Sequence, residues 1–269
     1  MRILAFETSA KAASVALLHD GVLEGAAYQN TGLTHSQTLL VMAQDVLAQC
    51  GCTVSDVDAV AVAAGPGSFT GVRIGVAAAK GFAWGAELPC YGVSTLEAMA
   101  LSLGAWEGTV CACMDARRAQ VYNALFQAKA GTLTRLTPDR AIAQEELAQE
   151  LEAVGGPIFL VGDGSSLTYR TLQDKIPGLV LPPEHRLHQR AEGVALLAAQ
   201  KIAAGEPGDG AALSPNYLRL SQAERERLER QQGTTYAASA ALPVSPADTI
   251  YPYLLYRNKG ENVSWQLFT

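Results

Sequence analysis

Histidine is scarce in this chain, with four among 269 residues. Neither a Ser/His/Asp order nor a Cys/His pair declares itself, so the usual nucleophile-and-base constellations are missing. His35 opens a helical segment without a histidine or carboxylate four residues on. That removes a helical metal pair and leaves a place in the helix start. The five cysteines are an odd number set among apolar neighbours, which argues for reduced thiols rather than a disulfide framework. Two C-x-C pairs, Cys50/Cys52 and Cys111/Cys113, lack a nearby histidine to complete the four ligands that zinc takes, and buried thiols are the expectation. Long hydrophobic runs are absent as well: no stretch reaches the roughly 20 apolar residues that cross a bilayer. The apolar opening is interrupted at Glu7, so a signal-peptide core is not expected and a soluble cytoplasmic protein is. Positive charge is also in deficit. Lys and Arg number 20 against 26 Asp and Glu, a formal charge of -6, which excludes a broad basic face binding RNA by counterion release.

What is present is a hydrophobic content of 49%, ample for a packed core. Residues 2–6, 13–18 and 22–28 read as three short strands, the last two joined at Asp20-Gly21, a strong hairpin signal. Thr34-His35-Ser36-Gln37 has capping-box spacing ahead of Leu39, Met42/Ala43, Val46/Leu47 and Cys50 at helical period, with Gly51 as the stop. Residues 57–64 form a nearly continuous apolar run, the mark of a strand covered on both faces. It leads into Gly65-Pro66-Gly67-Ser68-Phe69-Thr70-Gly71 and a helix from about 70 to 84. There Gly71, Gly75 and Ala79 recur every four residues and open a groove that another backbone, from this chain or a partner, fits. A short strand after Pro89, a helix near 95–103 and a strand pair at 110–114 and 120–126 begin the pattern again. A charged helix near 144–152, a strand at 158–161, the turn Gly162-Asp163-Gly164-Ser165 and a helix near 191–204 complete it. The expected organisation is α/β and internally duplicated. It has a first lobe over 1–105, to which helix 191–204 returns, and a second lobe over 106–220. Residues 221–269 read as a charged linker and an aromatic tail.

Several segments carry candidate chemistry. Thr8 and Ser9 end the first strand, where hydroxyls meet either a phosphate or simply a turn. The Gly65–Gly71 turn, with Gly67 and Ser68, sits at a helix N-terminus, whose free N–H groups favour an anion. It lacks both the G-K-[ST] ending and the G-x-G-x-x-G spacing, so it is neither a Walker loop nor a dinucleotide fingerprint. Asp115, Gly162 and Asp163 occupy turns that would face a nucleotide across a cleft. Arg73, one turn into its helix, pairs with an anion or stays solvated, and Glu97 suits the positive end of its own helix.

Taken together, Ile3-Leu4-Ala5-Phe6-Glu7-Thr8-Ser9, Thr34-His35-Ser36-Gln37-Thr38-Leu39-Leu40 and Gly65-Pro66-Gly67-Ser68-Phe69-Thr70-Gly71-Val72-Arg73-Ile74-Gly75 resemble the YeaZ/TsaB family. So do Gly92-Val93-Ser94-Thr95-Leu96, Met114-Asp115-Ala116-Arg117 and Pro215-Asn216-Tyr217-Leu218-Arg219. The resemblance covers about 1–220 and departs at Glu7, where the family commonly has Asp. It implies an actin-like ATPase (ASKHA) fold with two duplicated lobes, each a mixed sheet with helices. It also implies membership of the bacterial complex that places threonylcarbamoyl on N6 of an adenosine in tRNA. The family's catalytic relative, TsaD, binds metal through His-x-x-x-His. The equivalent positions here are Thr95 and Met99, and a hydroxyl and a thioether do not replace two imidazoles. The resemblance thus implies a non-catalytic subunit with no cofactor or metal of its own. Its implied partners are a TsaD-type subunit, a TsaE-type ATPase docking at their junction, and a second copy of itself as homodimer. tRNA is engaged only through the complex. The partner face it implies lies on the first two helices, at His35, Leu39, Met42, Val46, Gly71, Val72, Gly75 and Ala79. The competing expectation is an independent phosphotransferase or weak ATPase, holding Mg²⁺ with Glu7, Asp115 and Asp163.

Overall fold

A computed structural model describes residues 1–104, 106–219, 227 and 230. The linker and tail assigned to 221–269 lie outside the described residues apart from Arg227 and Arg230. Strands β1 (Arg2–Glu7), β2 (Ala13–His19) and β3 (Val22–Gln29) form an antiparallel meander. Its β2–β3 turn takes positive φ at both Asp20 (47°) and Gly21 (83°), the twist that a two-residue hairpin requires. Helix α1 (His35–Gln49) follows. Thr34 is its N-cap as expected, but the hydroxyl makes no capping bond; the Gln37 amide bonds the Thr34 carbonyl instead, at 2.9 Å. Strand β4 (Ala59–Ala63), helix α2 (Phe69–Gly85), strand β5 (Cys90–Val93) and helix α3 (Thr95–Ser102) complete the first half. The sheet order is β3-β2-β1-β4-β5, with β1, β4 and β5 parallel.

The second half repeats the plan. Antiparallel β6 (Gly108–Asp115), β7 (Gln120–Lys129) and β8 (Thr132–Arg135), with β9 (Arg140–Ala143) also on β7, precede helix α4 (Gln144–Val154). Strand β10 (Ile158–Val161), helix α5 (Ser165–Leu172) and strand β11 (Leu179–Val180) then bring the sheet order to β11-β10-β6-β7-β8. Helix α6 (Ala191–Ala203) ends the pattern. Position for position, β6, β10 and β11 stand where β1, β4 and β5 stand in the first sheet. This is the duplicated arrangement of an actin-like fold. Strands β8, β9 and β11 and helix α5 had no clear periodic signal, because each is short and draws its burial from neighbours.

Strand alternation divides the core. On β1, Leu4 and Phe6 face α1 and α2, while Ile3 and Ala5 face α6. On β4 the α6 side is all alanine (Ala59, Ala61, Ala63), which lets α6 lie close on the first sheet. Helix α3 crosses the other way: Leu96, Met99, Ala100 and Leu103 pack under Val110, Ala112 and Met114 of β6. The helices cross tightly, since a Cβ on Gly193 of α6 would fall 2.0 Å from the Ala98 carbonyl of α3. Cys111 and Cys113 alternate with those β6 residues and point to the opposite face, beneath α4 and α5. They are fully buried free thiols.

Candidate functional site

The carboxyl ends of β1 and β6 and the turns after β4 and β10 converge on one polar region. In the first sheet the turn after β4 lies directly on the end of β1. The Ser68 amide donates to the Ser9 carbonyl at 2.6 Å, and the Thr8 hydroxyl donates to the Gly71 carbonyl at 2.8 Å. Space is the reason for the glycines. A Cβ would lie 2.5 Å from the Ser9 carbonyl oxygen at Gly67, 2.2 Å from that of Thr8 at Gly71, and 2.3 Å from Thr8 Oγ1 at Gly75. Ser68 caps α2 by accepting the Gly71 amide at 3.3 Å. The four phosphate candidates of this half, Thr8, Ser9, Gly67 and Ser68, do come together, but largely by bonding and packing on one another. A phosphate would have to displace those bonds.

The second sheet uses the same device. Gly162 (φ 113°) would place a Cβ 2.1 Å from the Cys113 carbonyl, and the Gly164 amide donates to that carbonyl at 3.2 Å. Asp115 turns back on its own hairpin, accepting the Arg117 amide at 2.7 Å and pairing with the Arg117 guanidinium at 3.3 Å. Asp163, exposed on the turn after β10, accepts the Gln189 side-chain amide at 2.9 Å.

The region carries three carboxyl groups, one of them paired with Arg117. Glu7, 1% exposed, accepts the Ser9 amide at 2.5 Å, and burial pushes its carboxyl up to about 7. The Ser9 bonds oppose that shift and the charge of Asp163 adds to it. Desolvation by the protein around its carboxyl also raises Asp163, with Gln189 working against it and the charge of Asp115 with it. Glu7 Oε2, Ser9 Oγ, Thr95 Oγ1 and Gln189 Oε1 are buried oxygens without a protein partner. Nucleotide phosphates are ordinarily held beside carboxylates through a divalent metal. Among the described residues no group of three or more His, Cys, Asp or Glu could hold one. Thr95 and Met99 are fully buried, and the Met99 methyl packs toward Gly162.

Sequence reasoning did not find the burial of Glu7, its proximity to Asp163, or Gln189. Their carbon neighbours come from three distant segments, and local pattern carries no sign of that. It did single out Pro215–Arg219. There the Asn216 amide donates to the Ala64 carbonyl at 2.6 Å, and Tyr217 stacks on Phe69 at 4.7 Å. Arg219 donates to the carbonyls of Ala116 and Arg117. Arg73, expected to meet an anion or solvent, instead lies 3.8 Å over the Phe69 ring and donates to the Tyr217 hydroxyl at 2.6 Å.

Most residues expected on the partner face pack inside this chain. Leu39, Met42, Val46, Val72 and Ala79 belong to the core between α1, α2 and the first sheet, and Gly71 and Gly75 are closed off by Thr8. The backbone filling the small-residue groove is therefore the chain's own β1 end. His35 is half-buried, its Nε2 2.8 Å from the Ala10 carbonyl. What the same two helices leave exposed is a different set: Leu40 (50%), Val41 (53%) and Trp84 (87%), with Ala77.

A family model described as TsaD, tRNA N6-adenosine threonylcarbamoyltransferase, matches residues 26–226. The tRNA threonylcarbamoyladenosine biosynthesis protein TsaB of Escherichia coli (strain K12) is 38% identical over 226 residues, spanning 81% of this chain and 95% of that protein. Its namesake from Bacillus subtilis (strain 168) is 33% identical over 235 residues, spanning 86% and 100%. Among solved structures, YeaZ from Pseudomonas aeruginosa superposes with a TM-score of 0.66 at 31% identity, over 81% of this chain and 99% of that one. No helix among the described residues is long and apolar enough to cross a membrane. With identity of this order over nearly the full length of its relatives, and a common fold, the chain belongs to the TsaB/YeaZ family.

Proposed function

We propose that this chain is a non-catalytic subunit in tRNA threonylcarbamoyladenosine biosynthesis, acting by pairing with a TsaD-type transferase. The observation that carries the reading is the pair Thr95 and Met99, fully buried at the positions where the resemblance puts two metal-binding histidines. A hydroxyl and a thioether make a poor site for a hard or borderline cation. The Ser68 and Gly164 amides that a phosphate would need are already bonded to the Ser9 and Cys113 carbonyls. Both features speak against the independent phosphotransferase or ATPase.

The partner surface in this reading is the exposed side of α1 and α2, centred on Leu40, Val41, Ala77 and Trp84. Exposed aliphatic side chains beside a nearly bare tryptophan suit a desolvated interface core. The same face serves self-association when the relative is absent, a TsaE-type ATPase docks at the junction, and tRNA is met through the assembly.

Reconstitution tests this. The purified chain alone is inactive in threonylcarbamoyl transfer and co-elutes with its TsaD-type relative as a complex of defined mass. Val41→Glu with Trp84→Glu abolishes co-elution while leaving thermal stability unchanged, because both residues already face solvent. Transfer by the chain alone would refute the non-catalytic reading, and undiminished pairing by the double variant would refute the interface.

A further inference from the structure

Helix α1 ends in Cys50-Gly51-Cys52, and the local backbone is a Schellman stop. The Gly51 amide bonds the Ala48 carbonyl at 3.1 Å, and the Cys52 amide bonds the Leu47 carbonyl at 2.9 Å. Cys50 sits near φ -83° and ψ 1°, and Gly51 takes φ 66°, which glycine reaches without strain. A turn this tight holds the Cα atoms of residues 50 and 52 roughly 5.5 Å apart, inside the span of a disulfide. Both side chains pack against the core cluster under the first sheet. The Cys52 thiol reaches back to the Cys50 carbonyl at 3.5 Å, while Cys50 Sγ lies over Gly25 of β3, where a Cβ would come within 2.6 Å of it. Both thiols are free and half-buried, unlike Cys90, Cys111 and Cys113, which are buried.

We propose that Cys50 and Cys52 form a redox-modification site that exchanges with small-molecule disulfides of the glutathione class to give a reversible intrachain disulfide. The surroundings differentiate the two sulfurs. Burial raises the Cys50 thiol, with the Cys52 and Glu24 charges adding and Arg2 opposing. With Cys50 Sγ packed over Gly25 and its thiol raised by burial, Cys52 is assigned as the attacking sulfur. Its thiolate displaces one thiolate from the small disulfide and leaves a mixed disulfide on Cys52. The Cys50 thiolate then attacks the Cys52 sulfur and expels the second. The two cysteines lose two hydrogens and two electrons, and the small disulfide is reduced to two thiols. A bond closing so short a ring is strained, hence more oxidising and readily reversed.

The test uses the full chain incubated in glutathione buffers from reducing to oxidising, acid-quenched, denatured, alkylated and mapped by peptide mass. The expected result is a peptide holding Cys50 and Cys52 that loses two hydrogens and escapes alkylation as the buffer becomes oxidising. Cys90, Cys111 and Cys113 stay alkylated, and reductant restores the starting mass. Cys52→Ser removes the species, and Cys50→Ser traps a glutathione adduct on Cys52. Full alkylation of both cysteines in the most oxidising buffer overturns the proposal. So does a bond formed only between copies, an adduct that persists in the unaltered chain, or a copurifying zinc ion that blocks both thiols until chelated.

Discussion

Gly71→Ala places a methyl group 2.2 Å from the Thr8 carbonyl oxygen, a backbone atom that cannot swing aside. Alanine is the better helix former by about 1 kcal/mol, so in an open position the exchange stabilises. Here three effects compete. Forcing α2 away from the end of β1 costs about 1–3 kcal/mol of packing. The shift also weakens the bond from the Thr8 hydroxyl to the Gly71 carbonyl, worth about 1 kcal/mol. Subtracting the propensity gain leaves a net loss of about 2 kcal/mol, which for a chain of this size lowers Tm by roughly 4–8 °C. Gly81, in the same helix with nothing within 4 Å of its Cβ position, supplies the control. Gly81→Ala raises Tm by about 2–3 °C from propensity alone. Differential scanning calorimetry of the two variants separates the effects. If Gly71→Ala melts at or above Gly81→Ala, the contact between β1 and α2 is not what the glycine serves. If instead Gly71→Ala keeps its Tm and loses only its partner, the groove belongs to another subunit after all.

The remaining expectations follow the same physics. Glu7, raised from its ordinary 4.5 to about 7, stays protonated in the fold while the unfolded chain ionises, so its contribution is full below pH 4.5 and is lost as pH rises to about 7. Glu7→Gln keeps the acceptor for the Ser9 amide and removes that loss, making the variant more stable than the parent at pH 8 by up to about 3 kcal/mol and little different at pH 4.5; urea titrations at both pH values check it. Arg135 bonds Glu97 at 2.6 Å and Asp139 at 2.7 Å while lying 4.8 Å over Phe126. Arg135→Ala leaves two partly buried carboxylates facing each other and lowers stability by about 1.5–3 kcal/mol, read as a shifted urea midpoint. Gly21→Ala, at φ 83° in the β2–β3 turn, costs about 1 kcal/mol through backbone strain despite open space around it.

Much of the scaffold was legible because its signals are local. The three opening strands, β10 and the core helices announce themselves through alternation, helical period and the Asp20-Gly21 turn. Which helix residues lie inside the fold was less legible. An amphipathic helix shows which stripe is apolar, and Leu39, Met42 and Val46 were assigned outward although that stripe is the one the core claims. The surface set, Leu40, Val41 and Trp84, reads in sequence as interruptions of the pattern. Helix α5 went unseen for a related reason: over Ser165–Leu172 only Ser165, Thr168 and Leu172 are buried, and two of those are polar.

The duplication gives the two glycine-rich turns a single explanation. The turn after β4 overlies the end of β1, and the turn after β10 overlies the end of β6, its counterpart. In both places a strand-to-helix turn passes so near an adjacent strand end that a Cβ would collide with a backbone carbonyl: Thr8 and Ser9 in one half, Cys113 in the other. A phosphate loop keeps its amides directed at an open space, whereas here Ser68 and Gly164 direct theirs at those same carbonyls. The glycines therefore follow from how each half closes on itself. The closure also brings Asp163 near enough to raise Glu7 by its charge, while desolvation raises each carboxyl. A cleft closed in this way has its Ser68 and Gly164 amides already bonded, which supports the proposed recognition through the exposed side of α1 and α2.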